Sequence, residues 1–256
     1  MNDPKIVLLA GKSLSTNILY NALKNDFPIH TILLEEPVDR KNFLKKRINK
    51  LGAWKVFGQM IFRAVVVNIL NSSSAKRKKA ILQQFAMDAT ALPAEKIQKI
   101  RSVNDEECLQ ILREIGPQLV IVNGTRIISK QVLDGVSSTF INMHAGITPA
   151  YRGVHGAYWA LVNNDEKNCG VTIHLVDAGI DTGSVISQET ITIGPDDNFV
   201  TYPLLQLAAG IPNMKKAITE ILQNKLVLKQ GSGQSRLWTH PTFWQWFFNR
   251  IVKRKK

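Results

Sequence analysis

Cysteine is almost missing from this sequence. Among 256 residues only Cys108 and Cys169 occur, far apart and in no redox or metal-ligand spacing. That argues against a disulfide framework, fits a reducing compartment, and leaves no Cys/His cluster at zinc spacing, so no metal is expected. No secretory leader is expected either: the opening MNDPKIVLLAGKS puts an acid before an apolar run too short for a signal core. It reads as a first strand, and the chain is expected in the cytoplasm. There is no internal repeat and no low-complexity linker. Ser184 and Ser187 have no nucleophile-elbow context. Acids are the scarce sign, 20 Asp and Glu against 33 Lys and Arg, a formal +13. Such a balance favours anionic partners: nucleic acid, phosphorylated metabolites or an acidic membrane surface. The cations concentrate from Arg40 to Lys79 and in Arg250, Lys253, Arg254, Lys255 and Lys256.

The sequence has ample apolar content, 45%, and its arrangement is that of an α/β protein. Apolar runs at 5–10, 29–34, 119–122, 139–143, 170–176 and 184–192 read as strands. Helical spacing follows Gly11 and recurs over 105–115, 129–133, 155–163 and 199–222, the last interrupted near Gly210-Ile211-Pro212. The alternation predicts a Rossmann-like open, mostly parallel sheet with helices on both faces, plus a short helical C-terminal extension.

Residues 53–70 (AWKVFGQMIFRAVVVNIL) are strongly apolar between basic flanks. Lys55, Arg63 and Asn68 argue against a membrane-spanning helix. A helix of an insertion covering the core is the leading reading, and a helix lying in a membrane interface the second. The tail FWQWFFNRIVKRKK has the same character and is expected to dock on the domain, with His240 helping it do so.

Chemistry concentrates in Phe140–Gly183, FINMHAGITPAYRGVHGAYWALVNNDEKNCGVTIHLVDAGIDTG. Asn142 and His144, two apart near the end of an apolar strand, share one face about 6.6 Å apart. That is where open α/β sheets bind ligands. Pro149, Tyr151, Arg152 and Gly153 then make a P-x-Y-R-G turn into a helix near His155. After the 170–176 strand comes the loop VDAGIDTG with Asp181. His174 inside that strand reads as a buried, satisfied histidine rather than a catalyst. His155 either caps its helix or lines the site. Arg152 suits a phosphate or carboxylate, or a structural ion pair.

This order of motifs (N-x-H, P-x-Y-R-G, G-V-T-I-H, D-x-G-x-D-T-G) resembles the folate-dependent formyltransferases, which include methionyl-tRNA, glycinamide ribonucleotide and amino-sugar formyltransferases. The resemblance is close over 119–189 and loose in the first strand and helix. It implies a catalytic domain at 1–195, with a basic helical insertion at about 40–80, and a C-terminal helix and basic aromatic tail at 196–256. It implies 10-formyltetrahydrofolate as formyl donor. Asn142 would donate to the developing oxyanion, His144 would stabilise it and move a proton, and Asp181 would orient His144 and help take the amine proton. Val176, Asp177, Ala178, Gly179, Ile180 and Gly183 would form the folate-binding loop.

The acceptor is approached by exclusion. His144-Ala145-Gly146-Ile147-Thr148-Pro149 departs from the family's H-x-S-L-L-P. Gly11-Lys12-Ser13 matches a phosphate loop only in part, although those residues and Arg152 are expected on the substrate side. A glycinamide ribonucleotide acceptor is thereby weakened. Little more than thirty residues follow the 199–222 helix, which leads to the expectation of no tRNA partner. An amino sugar carried on a nucleotide or a lipid is left as the expected acceptor, with peripheral attachment to the inner face of an anionic membrane a further expectation. A non-catalytic folate- or nucleotide-binding protein at a membrane surface is the alternative of another class.

Overall fold

The computed structural model describes residues 4–253; Arg254, Lys255 and Lys256 lie outside the described residues. β1 (Ile6–Gly11) is buried from Ile6 to Ala10, the signature of a central strand covered on both faces. It turns directly into α1 (Leu14–Leu23), whose N-cap Ser13 accepts a hydrogen bond from the Thr16 amide. β2 (Ile29–Glu35) follows. Next in sequence come β3 (Ile97–Ile100), α6 (Glu106–Ile115), β4 (Leu119–Asn123), α7 (Lys130–Asp134) and β5 (Thr139–His144). After β6 (Arg152–Gly153) and α8 (Gly156–Val162) come β7 (Gly170–Leu175) and β8 (Val185–Thr190).

The large sheet runs β3-β2-β1-β4-β5-β7-β8. It is parallel from β3 to β5, and β7 and β8 add antiparallel to its far edge. α1 and α9 (Tyr202–Leu222) pack one face through Leu19, Leu23, Met214 and Ile218, while Cys108, Leu112 and Val132 of α6 and α7 pack the other. Helices thus cover both faces, as expected. β3 was not anticipated from the sequence, and only Ile100 of its four residues is fully buried, too weak an apolar signal for a strand.

The expected break near Gly210-Ile211-Pro212 does not occur. α9 is one helix of 21 residues. Met214 and Ile218 of its buried face lie against the sheet, Leu204 and Leu207 pack with Ile18 of α1 and with Ile81, and Pro212 sits on the exposed side. Burial of the long apolar face outweighs the lost backbone bond. Gly210 permits the close fit, since a Cβ there would lie 2.6 Å from the Met143 sulfur.

Between β2 and β3 lie α2 (Arg40–Leu51), α3 (Ala53–Ile61), a π-helical segment (Phe62–Val67), α4 (Asn68–Ser73) and α5 (Ala75–Gln84). From Ala53 to Ser73 these form one continuous helix, long and apolar enough by composition to cross a bilayer. One face of it covers the core, as read: Val56, Phe62 and Val66 are buried, and Phe62 meets Phe199 edge-on at 4.9 Å. α5 is clamped by Arg77, which makes a bidentate pair with buried Asp197 at 2.8 and 2.9 Å. The tail forms β9 (Leu237–Trp238), paired with β6, and α10 (Phe243–Ile251), whose N-terminus carries a Thr242–Gln245 capping box.

Pro212→Ala restores a backbone donor in an exposed helix interior. It is expected to stabilise the protein by about 1–3 kcal/mol, read as a rise in the urea midpoint with an unchanged slope.

Candidate active site

The antiparallel edge of the sheet builds the site. β5 pairs with β7 in a register that sets Asn142 opposite His174 and His144 opposite Thr172. Directly opposed side chains share a sheet face, so Asn142, His144 and His174 project together, while Ile141 and Ile173 join the core behind. His174 is buried and satisfied, as read from the sequence, and its bonds tie it to the cluster. Its Nδ1 lies 2.6 Å from the Leu175 carbonyl oxygen, which can only accept, so the proton sits there. Its Nε2 then accepts from the Asn142 amide nitrogen at 3.1 Å, fixing the carboxamide with its second N–H free.

His144 is oriented the other way. Its Nε2 donates to the Tyr151 carbonyl at 2.7 Å, which leaves Nδ1 as the proton-accepting nitrogen. That nitrogen faces Asp181 Oδ2 at 3.3 Å. Asp181 also lies 3.7 Å from His174 through Oδ1, and Oδ2 accepts from the Gly153 amide at 2.9 Å. Asp181 reaches this position from a left-handed backbone, φ 50°. Its loop is closed by Asp177, which accepts from Gly179 N and from the Thr182 hydroxyl, and by Gly183, where a Cβ would overlap the Leu175 carbonyl.

Burial drives His144 below the ordinary imidazole range, and the Asp181 carboxylate pulls it partly back. Burial pushes Asp181 up, yet the nearness of the His174 and His144 rings and the hydrogen bond from the Gly153 amide together hold it below the usual carboxylate range. At neutral pH the pair is a neutral imidazole beside a carboxylate. A proton arriving at Nδ1 would turn that contact into an ion pair, an arrangement made for a general base.

A cavity of about 340 Å³ opens beside these groups. It is lined by Asn142, His144, His174, Val176, Asp177, Gly179, Ile180 and Asp181, and across from them by Gly124–Ile128. The second wall was missed in the sequence. Its one signal was position, the residues just past a buried strand, and Gly124 has the positive φ of a tight turn. Buried Glu35 anchors that wall by accepting from the Val103 and Arg126 amides and pairing with the Arg126 guanidinium at 2.5 Å. Gly11 backs it, because a Cβ there would approach the Gly124 carbonyl to 2.4 Å.

Ala178 and Gly183 do not line this cavity. Lys12 and Ser13 lie on the β1–α1 turn outside it, where the Ser13 hydroxyl caps α1. Arg152 donates through Nη1 to the Ile180 carbonyl at 3.0 Å, tying the P-x-Y-R-G turn to the Asp181 loop. His155 occupies the N-cap position of α8 in the left-handed region without capping it; its Nε2 lies 2.9 Å from His240 Nδ1. Burial and the mutual proximity of the rings depress His155 to about 3, and burial with Arg47 and Arg63 depresses His240 to about 4.

A formyl transferase family model matches residues 41–203, and the chain belongs to that family. Methionyl-tRNA formyltransferases of Solibacter usitatus (39% identity over 58% of this chain) and Caldanaerobacter subterraneus (31% over 48%) are similar to it. Those matches cover 48% and 40% of the relatives' own lengths. In fold, the chain is similar to a sugar N-formyltransferase of a Shewanella species (TM-score 0.59, 13% identity, covering 92% of this chain and 76% of that one). It is likewise similar to the phosphoribosylglycinamide formyltransferase of Anaplasma phagocytophilum (TM-score 0.57, 17% identity, 92% and 98%).

The relatives correct one expectation. The exclusion of tRNA rested on the short stretch after α9, whereas the catalytic segment itself matches methionyl-tRNA formyltransferases at 31–39% identity. The length of a tail says nothing of what the shared segment serves, and the exclusion falls.

Because the Asp181 charge raises the pKa of His144, Asp181→Asn should move the His144 titration to still lower pH, read by NMR of the ring protons. An unmoved titration would remove the coupling. A second expectation concerns acid. His155 and His240 are depressed when folded and titrate near 6.5 when unfolded, so their stabilising contribution is complete above about pH 6.5. It is lost progressively as pH falls toward about 4 and then 3. The urea midpoint should fall between pH 7 and 5, and by less in His155→Phe.

Proposed function

We propose that this protein is a cytoplasmic N-formyltransferase that moves the formyl group of 10-formyltetrahydrofolate to a primary amine. The observation that carries the reading is the Asn142–His174–Asp181–His144 cluster at the cavity. The amine nitrogen attacks the formyl carbon and forms a C–N bond, and the carbonyl oxygen becomes an oxyanion facing the free N–H of Asn142. The amine proton passes to His144 Nδ1, where Asp181 stabilises the imidazolium. Return of that proton to the departing donor nitrogen breaks the old C–N bond and releases tetrahydrofolate. The cavity suits the donor's head group: Ile127, Ile128 and Val176 offer flat apolar contact, and the backbone of the Asp177–Asp181 loop offers polar contact. A related N-formyltransferase from Helicobacter canadensis (TM-score 0.55, 21% identity, covering 91% of this chain and 70% of that one) was solved with folinic acid and dTDP-3-aminofucose.

For the acceptor, an amino sugar carried on a nucleotide or a lipid is the leading reading, supported by the cation excess and by the acceptor in that complex. A methionyl-tRNA acceptor is the second, supported by the named relatives.

The test is tetrahydrofolate release from 10-formyltetrahydrofolate with amino-sugar nucleotides and with methionyl-tRNA in parallel. Turnover with one acceptor is expected, falling about 10²–10⁴-fold in His144→Ala and about 10²–10³-fold in Asn142→Ala, with unchanged circular dichroism. Near wild-type turnover in His144→Ala would overturn its role, and donor binding without turnover on any amine would overturn the enzyme reading.

A further inference from the structure

The charge of this chain is divided more sharply than its total suggests. Residues 40–87 and 221–256 contain 20 of the 33 Lys and Arg and none of the 20 acids, so the rest of the chain is net −7. The structure packs part of the first segment against part of the second. α3 and α10 pack side by side, in contact tight enough that a Cβ on Gly58 would lie 2.9 Å from that of Thr242. Their inner faces are seated on the domain: Val56 and Phe62 are buried, Asn249 donates to the Tyr158 hydroxyl at 3.0 Å, and Lys253 reaches the Val162 carbonyl.

Their outer faces are apolar and exposed. Trp54 is 69% exposed, Phe57 50% and Met60 52% on α3; on α10 Trp244 is 44%, Phe248 52% and Ile251 58%. On α10 the spacing 244, 247, 248, 251 draws one helical stripe. Trp54 and Trp244 stack at 5.8 Å with 11° between planes, joining the two faces into one. Single exposed apolar residues need no account, but a contiguous patch rimmed by one sign of charge does.

We propose that this helix pair docks the protein on the surface of an anionic lipid bilayer, with the aromatic and aliphatic side chains in the headgroup–acyl boundary and the surrounding lysines and arginines on the lipid charges. Tryptophan and phenylalanine on the apolar face with cations at its rim are the pattern of an interfacial helix. A second copy of the chain is the poorer occupant, because it would bring two strongly cationic surfaces together. Nucleic acid would meet the cations and the aromatic rings but leave Met60 and Ile251 without partners of their own kind. Docking is peripheral rather than spanning, since the inner face of α3 is committed to the protein core and Lys55 and Arg63 interrupt its length. The helix pair is also tied to the catalytic region. Gln59 donates to the His240 carbonyl at 2.6 Å, and His240 meets His155, the neighbour of Val154 in the cavity wall. An acceptor carried on a lipid would thus be met by an enzyme already held at its surface.

The test is co-sedimentation of the full chain with phosphatidylcholine vesicles with and without phosphatidylglycerol. Binding is expected to the anionic vesicles, at least tenfold weaker in 0.5 M salt or without phosphatidylglycerol. It should weaken at least tenfold again in the triple variant Trp54→Ser, Trp244→Ser, Phe248→Ser. Brominated lipid should quench the tryptophan fluorescence of the wild-type protein, a readout that needs no variant to fold. His144→Ala should bind vesicles like the wild type, which separates this proposal from the reaction. Absence of binding to anionic vesicles at low salt would overturn it. So would binding untouched by the triple variant, or a concentration-dependent dimer or RNA complex that needs these residues while vesicles are ignored.

Discussion

The antiparallel pairing of β5 with β7 is the constraint on which the site depends. It sets Asn142 against His174 and carries β7 past His144, so the loop leaving β7 returns Asp181 to both rings. A slip of one residue would turn every one of these side chains to the opposite face. The pairing is held from behind by Ile141 and Ile173 in the core and by the close contact of Gly210 with Met143. Core packing of α9 thereby holds the geometry of the polar cluster without touching it.

The polar cluster stands in this apolar setting because each member is satisfied. The two histidines spend one nitrogen each on a backbone carbonyl, which assigns their tautomers; the other nitrogen of His174 holds the Asn142 amide, and that of His144 faces Asp181. Asp181 is held by the Gly153 amide, and Arg152 pins the adjacent carbonyl of Ile180. The P-x-Y-R-G turn thus positions the Asp181 loop. On the opposite wall Glu35 plays the corresponding part, gathering the Val103 and Arg126 amides and the Arg126 guanidinium beyond the ends of β3 and β4.

The insertion after β2 and the C-terminal tail belong to one structural unit although more than 150 residues separate them in the chain. The π-helical segment Phe62–Val67 touches both α10 and the Phe199 region, through Phe62 against Trp246 and Phe199. Its buried Phe62 and Val66 stay on the domain side while Val65 and Ile69 remain outside.

Much of the fold was legible before any coordinates. Apolar runs separated by turn residues marked the strands of both sheet halves except β3, and the helix positions followed from periodicity and capping. The pair Asn142 and His144 was legible because side chains two apart on a strand must share a face, and Asp181 because its loop stands in a recognisable motif. His174 and the Gly124–Ile128 wall were not legible. A histidine inside an apolar strand looks the same whether it is filler or part of a site, and no local pattern states which strand will lie across from it. By itself the sequence determined which strands and helices form and which side chains share an element's face, since backbone geometry and periodicity are local. Tertiary structure decided that β7 runs antiparallel beside β5, that two distant basic segments make one apolar surface, and that four polar groups meet at one cavity. Those depend on which non-local burial is most favourable, and that is a property of the packed chain.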